Sequence, residues 1–533
     1  MRRAAVVAIV LGAVAGLAGT AGAKVLRVGT YKGIRGQYTT IQAAVNASKP
    51  GDWILIAPGD YKTSKVLTPK GYPDFPAAVL ITTHNLHIRG MSRKGVIVDG
   101  TKPGSAACSR RQSAQNFGLR GGSGGPYSSG SSTAPSGVNG LMVFKAANVS
   151  IENLTACNFL GGSRDAGNQI WFNGGANSGK VGGHGFSGAY LTATSTFIKG
   201  RSKADEKSAA TYGIFSSNWS GGTWNQIYAS NMNDSAFYIG ACQQICNQTV
   251  NHAWGEYSAL GYSGTNSGGR LLIENSQFDN NQDGFDTNSQ NADEPAPQNG
   301  ACPAGVKPPV KGAPTCWVFY RNYVHDNNNP NVPSSGSAAA GPVGTGMSVS
   351  GGRNDTVMDN RFVNNNAWGM ILVPYLDSGK PCDGGTFGGV FGPQSCLWDD
   401  YGDALLHNTF SHNGSYGNPS NGDLGQVNIN ADPATNCYSG NTEPGGQPLS
   451  PAGAQALQTL HPSCNGTPQA AGSSDPAFLN EVLCDTEIIG TSTCTSTDHY
   501  PRATRIVMHP LPKHLPTMPN VCAGVPKNPW CKK

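Results

Sequence analysis

Short segments of alternating apolar and polar residues recur along the chain. One set opens on a small residue and continues apolar–variable–apolar: GLMVF from Gly140, GAYLT from Gly188, GIFSS from Gly213, AFYIG from Ala236 and ALGYS from Ala259. It goes on as GFDTN from Gly284, GMSVS from Gly346 and GMILV from Gly369. Most copies are spaced 23–25 residues apart, and Gly140 to Gly188 spans two such steps. A second set pairs alternating apolar positions with an Asn-rich break: NVSIENLTACNF from Asn148, LLIENSQFDNN from Leu271, WVFYRNYVHDN from Trp317, DTVMDNRFVNN from Asp355 and DALLHNTFSHN from Asp403. Alternation over so few residues predicts short strands with one buried face. Asn is the non-Gly residue that best tolerates the left-handed backbone of a sharp corner.

A coil of some two dozen residues with two or three strands cannot bury its own apolar face, so the coils must stack. The period predicts an all-β protein, a right-handed parallel β-helix. In this register Phe237, Leu260, Phe285, Met347 and Met370 form one interior ladder, while Asp286 shares an outward column with Tyr238, Gly261, Ser348 and Ile371. Before the first coil, Thr39-Thr40 can cap a short helix with Ile41, Ala44 and Val45 on one face, ended by Pro50-Gly51. Past about Asn436 the period fades into Pro, Gly, Ser and Cys, which reads as a disulfide-rich cap or appendage covering the solenoid end. The expected organisation is a leader over 1–23, the β-helix over 24–435 and the cysteine- and proline-rich segment over 436–533.

Composition supports many short strands and turns: 72 glycines in 533 residues and only 13% charged residues. Arg2 and Arg3, the apolar run Ala4 to Ala18 and the small-residue site Ala21-Gly22-Ala23 have the make-up of a secretory signal peptide, so the mature protein is expected outside the cell. No other stretch has the roughly 18 apolar residues of a membrane span. The formal net charge of +5, partly owed to the leader, gives no basic footprint for nucleic acid. Fourteen cysteines in an exported chain imply disulfides. The near neighbours Cys242/Cys246, Cys302/Cys316, Cys382/Cys396, Cys484/Cys494 and Cys522/Cys531 are expected to pair, leaving Cys108/Cys157 and Cys437/Cys464. The pairs at 302/316 and 382/396 sit in two long interruptions of the period, and such loops can wall a cleft.

Candidate chemistry concentrates at Asn280 to Asn288. With Phe285 and Thr287 inward, Asp286 and Asn288 face out and Asp283 stands at the preceding corner, a set of hard oxygen ligands that suits calcium. Arg321 and Arg353 on the following coils, with Lys311 in the loop, are candidate bases. Tyr238, Trp254 and Tyr262, among several aromatics near Asp286, are candidate sugar platforms. Gly183-His184-Gly185 is expected to be a turn with an exposed His.

The segment YTTIQAAVNASKPGDWILIAPGDYKT resembles the opening of the pectin-lyase-like superfamily, and with the coils the resemblance spans about Lys24 to Asp432. The strand at Asp283 is similar to the Asp-Gly-x-Asp calcium strand of β-helical pectate lyases. The resemblance implies a monomeric, calcium-assisted lyase acting on an acidic polysaccharide, in which the metal neutralises a uronate carboxylate while a base removes the α proton. A glycoside hydrolase and a non-catalytic glycan-binding or cell-surface protein remain the alternatives, since the fold alone does not choose among them.

Overall fold

The computed structural model describes residues 22–63, 65–118, 135–175, 180–199, 208–291, 295–335, 341–389, 391–430, 435–464, 476–483 and 499–532. Most of the expected leader, the Cys484/Cys494 pair and the glycine run around 121–125 lie outside the described residues.

The chain forms a right-handed parallel β-helix. Two long parallel sheets, one of eighteen strands and one of ten, run the length of the described residues. A typical coil carries Leu271–Glu274, Gln277–Asp279 and Asp283–Asn288; the first two join the larger sheet and the third joins the smaller. The interior column of the ten-stranded sheet runs Val79, Leu141, Ile170, Ile214, Phe237, Tyr262, Phe285, Met347, Met370, Leu424. Four of the five residues expected in this ladder are in it. Leu260 is not: it pairs with Ser235 and Asp283, two positions away, and Tyr262 takes the rung. Ile170–Asn173 also supplies a rung that the period did not single out, whereas Gly188 belongs to the other sheet, opposite Ile151 and Trp224.

Tight corners separate the three strands of a coil, and each has one residue in the left-handed region. At the first corner these are Asn275, Arg321, Asp359 and His407; at the second, Asn280, Asp326, Asn364 and His412. The left-handed position is therefore not reserved for Asn. The repeated Asn sits one residue later, buried, where its amide bonds to the next coil: Asn360 Nδ2 donates to Asn408 Oδ1 and Asn408 Nδ2 to Asn441 Oδ1, each at 3.0 Å. A parallel ladder joins Asn281, Asn327, Asn365 and Asn413 over 3.0–3.3 Å.

Both ends are covered. At the start, helix Ile41–Ala47 is capped by Thr40, whose Oγ1 accepts from Ala43 N, and it buries Ile41, Ala44 and Val45. At the other end the coil pattern reaches Cys437–Ser439, just past the expected limit at 435, and helix Ala452–Leu460 packs on it. The last described segment turns back along the solenoid. His499 N donates to Asn418 Oδ1, Val507 N to Asn331 O and His509 N to Asn231 Oδ1. Further on, Arg89 donates to the carbonyls of Val521 and Ala523, and Trp530 Nε1 donates to Ile34 O at the opposite end. Six cysteine pairs are closed as expected: 108–157, 242–246, 302–316, 382–396, 437–464 and 522–531. No helix among the described residues is long and apolar enough to cross a membrane.

Candidate active site

Strand Asp283–Asn288 departs from strict alternation at Gly284. A Cβ there would lie 2.4 Å from the carbonyl oxygen of Gly346, so the coils close up only over glycine. Phe285 and Thr287 are fully buried, while Asp283, Asp286 and Asn288 all line one cleft on the outer face of the ten-stranded sheet. The outward column through Asp286 explains why a recess forms there. It reads Met142, Trp171, Phe215, Tyr238, then Ser263, Asp286, Ser348, then Ile371. Bulky side chains stand on both sides of three small or polar ones. Ser263 therefore occupies the place expected for Gly261, a consequence of the two-residue slip at Leu260.

The recess has a cavity volume of about 210 Å³. Pro342 from the interruption after the strand, Tyr375 and Leu376, Phe391 of the loop closed by Cys382–Cys396, Leu397 just after that bridge, and Leu479 and Val482 of helix Pro476–Val482 are also in its lining. The other disulfide loop is not a wall. Ala313 and Val310, within Cys302–Cys316, pack on Leu272 and Val318 of the eighteen-stranded sheet.

Asp286 is heavily bonded. Its Oδ1 accepts from Ser348 Oγ (2.6 Å) and Ser350 Oγ (2.8 Å), and Oδ2 accepts from Asn288 Nδ2 (2.5 Å). Asp283 is buried with only the backbone amides of Phe285 and Gly284 donating to it, and its Oδ1 has no partner. Burial raises both carboxyls above the ordinary range. For Asp283 the neighbouring Asp286 charge adds to that rise, and it stands well above; for Asp286 the three side-chain donors oppose it. A third carboxylate, Asp234, lines the same cleft, accepts from Ser235 Oγ (2.6 Å) and Tyr212 Oη (3.1 Å), and is pushed by burial up to about 6. Among the described residues that line the cleft, none is Lys, Arg or His.

The remaining candidates are dispersed. Tyr238 lines the cleft beside Phe215 and Tyr212. Tyr262 is inside the core, stacked on Phe285 at 4.3 Å, and cannot meet a sugar on the surface. Trp254 faces outward on the eighteen-stranded sheet, where its Nε1 donates to Asp279 Oδ1 at 2.7 Å. Arg321 is an exposed left-handed corner residue lying over Tyr320, and Arg353 is buried over Tyr401 with Nη2 donating to Gly384 O. Neither arginine lines the cleft, because a corner and a loop on other faces carry them; Lys311 lies in the Cys302–Cys316 loop. His184 is exposed, in a two-residue strand against Trp219–Ser220.

Asp234 and Ser350 are not among the sequence candidates, and Ser348 enters there only as a column mate of Asp286. The two serines were within reach, since GMSVS follows GFDTN in the same columns. Asp234 had only the weaker signal of an acidic residue just ahead of a strand. A separate titratable column stands on the eighteen-stranded sheet, where Glu256, Asp279 and His325 occupy consecutive rungs. Tyr228 Oη donates to Glu256, and His325 Nδ1 lies 2.6 Å from Asp326 Oδ2.

No family model matches the chain, and no curated protein sequence matches it. Among solved structures it is similar to the A-module of a mannuronan C-5 epimerase from Azotobacter vinelandii, at 11% identity and a TM-score of 0.37, over 76% of this chain and 86% of that one. A pectate lyase aligns at 11% identity and a TM-score of 0.31, over 88% of this chain and 92% of its own. An alginate lyase from a Paenibacillus species aligns at 10% and 0.25, over 78% and 97%. At such identities the likeness concerns the fold and not the chemistry.

Proposed function

We propose that this protein is an extracellular carbohydrate-active enzyme that hydrolyses glycosidic bonds in the cleft around Asp283 and Asp286. The carrying observation is that two neighbouring carboxyls are held in different environments within a walled recess. Burial raises both, Asp283 well above the ordinary range and Asp286 against three opposing donors, and environments that push two carboxyls apart assign the acid and its partner. Asp283, buried and with an unpaired Oδ1, is the proton donor to the glycosidic oxygen. Asp286, steadied by Ser348, Ser350 and Asn288, carries the charge that meets the developing positive anomeric centre, as nucleophile or as base toward water. The closed disulfides fit an oxidising, extracellular setting.

A calcium-assisted lyase is the second reading. Asp283 Oδ1 and Asn288 Oδ1 are buried oxygens without a donor beside the Asp286 carboxylate, a donor set that fits a hard cation. Bound calcium would neutralise a substrate carboxylate there. The reading lacks a base, since neither Arg321 nor Arg353 lines the cleft.

Incubation with neutral, acidic and amino-sugar oligomers separates the two. Hydrolysis is expected to release reducing ends without ultraviolet-absorbing unsaturated products and to survive chelation. Asp283→Asn and Asp286→Asn should each lower kcat by about 10²–10⁴-fold with the fold retained. Unsaturated product that disappears on chelation would establish the lyase instead.

A further inference from the structure

The cleft carries three carboxyls, Asp234, Asp283 and Asp286, and no Lys, Arg or His among the described residues that line it. Asn288 is buried, and its amide orientation is fixed chemically, because Nδ2 must face the carboxylate of Asp286. Its Oδ1 is thereby left without a partner. Asp234 adds a third carboxyl, pushed up to about 6 by burial while Ser235 Oγ and Tyr212 Oη donate to it. Ser235 pairs with Leu260 and Leu260 with Asp283, so the Asp234 end of the cleft stands two coils from Asp283. That is about 10 Å along the axis at the usual inter-strand spacing. Among the described residues of the lining, no Lys, Arg or His offsets these groups. A uronate would bring like charge into this recess. An unpaired buried oxygen is costly to leave so, and a ligand that donates to it is selected over one that does not.

We infer that the cleft takes a glycan bearing free ammonium groups, with Asp234 receiving an ammonium and Asn288 Oδ1, five residues past Asp283 along the strand direction, receiving a donor from another sugar unit. The inference rests on the reading of the cleft as glycosidic, and it names the substrate class of that same site. An ammonium presents up to three donors and a positive charge that no described residue of the lining supplies. N-acetylation removes that charge while leaving the sugar ring intact.

The test is calorimetric titration of the full chain with a β-1,4-linked glucosamine tetramer, its fully N-acetylated counterpart and a galacturonate tetramer, with calcium absent and then present. The glucosamine tetramer is expected to bind at least tenfold more tightly than either other ligand, and to weaken as salt is raised. Asp234→Asn should lose about tenfold of that affinity while its thermal midpoint stays near wild type. Should the variant fold poorly, the salt dependence of the wild type carries the same information. Equal or tighter binding of the acetylated tetramer overturns the inference, as does calcium-dependent binding of the galacturonate. Reducing-end release separates the two readings. If only acetylated or uronate oligomers are cut, the ammonium inference falls and hydrolysis stands. If glucosamine oligomers bind selectively and nothing is cut, hydrolysis falls and the ammonium site stands.

Discussion

Glu256 is almost completely buried in an outward column, with Tyr228 Oη donating to it and Asp279 on the next rung. Burial, reinforced by the Asp279 charge, lifts its carboxyl from 4.5 to about 7. The folded state therefore holds this proton more tightly than the unfolded chain does. Its stabilising share is present in full below pH 4.5 and is lost as the pH rises through about 7. Glu256→Gln keeps an acceptor for Tyr228 and cannot titrate. Its thermal midpoint should vary less than that of wild type between those limits, and parallel curves would refute the assignment. Phe285 offers a plainer test: truncation to Ala in this closed ladder is expected to cost about 3–5 kcal/mol, read from denaturant unfolding. The inward placing of Phe285 is legible because Phe285 and Thr287 alternate with the polar Asp286 and Asn288. The placing of Tyr262 is not. Ala259-Leu-Gly-Tyr fits small–apolar–variable–apolar better than Gly261-Tyr-Ser-Gly, yet the chain uses the second, which buries a Tyr hydroxyl without a partner. A two-residue slip preserves the alternation, so pattern alone cannot detect it.

At the scale of elements, the corners hold the coils in register. Asn365 accepts from Asn327 Nδ2 (3.1 Å) and donates to Val324 O (3.1 Å) and Asn413 Oδ1 (3.3 Å). Asn365→Ala strands several buried groups at once. Each costs about 1–3 kcal/mol when unpaired, and a total loss of about 2–4 kcal/mol is expected, seen as a lower urea midpoint at unchanged slope. Corner position was readable from the Asn clusters, but the reason for them was only half visible. The left-handed residue can be Arg, Asp or His, and it is the following Asn that the stack demands. The two disulfide loops were also read together, although only one walls the cleft; which face a loop covers depends on the corner it leaves from, and spacing does not encode that. Replacing Cys382 and Cys396 by Ser should therefore weaken glycan binding while the coils melt nearly as before. The same change at Cys302 and Cys316 should leave binding intact.

Over the whole molecule, the solenoid was legible from periodicity, and the returning tail was not, since a segment of Pro, Lys and His without a repeat has no pattern to read. Its contacts are nevertheless spread over the full length. Trp530 packs against Tyr31, and Val525 and Trp530 join Leu55, Ala57 and Met91 in one apolar cluster. Deleting the chain from His499 onward should uncover that cluster and lower the thermal midpoint. Trypsin should then cut first near the exposed N-terminal coils, and an unchanged cleavage map would count against a bracing role.

The tail's course also decides how the molecule bears load. Because Trp530 is bonded to Ile34 while the chain between them traverses every coil, the two ends of the described chain lie side by side. Held by those ends in an optical trap, the solenoid would feel no tension along its axis at first. Force would peel the tail away bond by bond, past Arg89, Asn231 and Asn331, before any coil was loaded. The force–extension trace should thus show a run of small early rips followed by large coil-opening events, and anchoring the handles at residues 31 and 460 instead should abolish the early run.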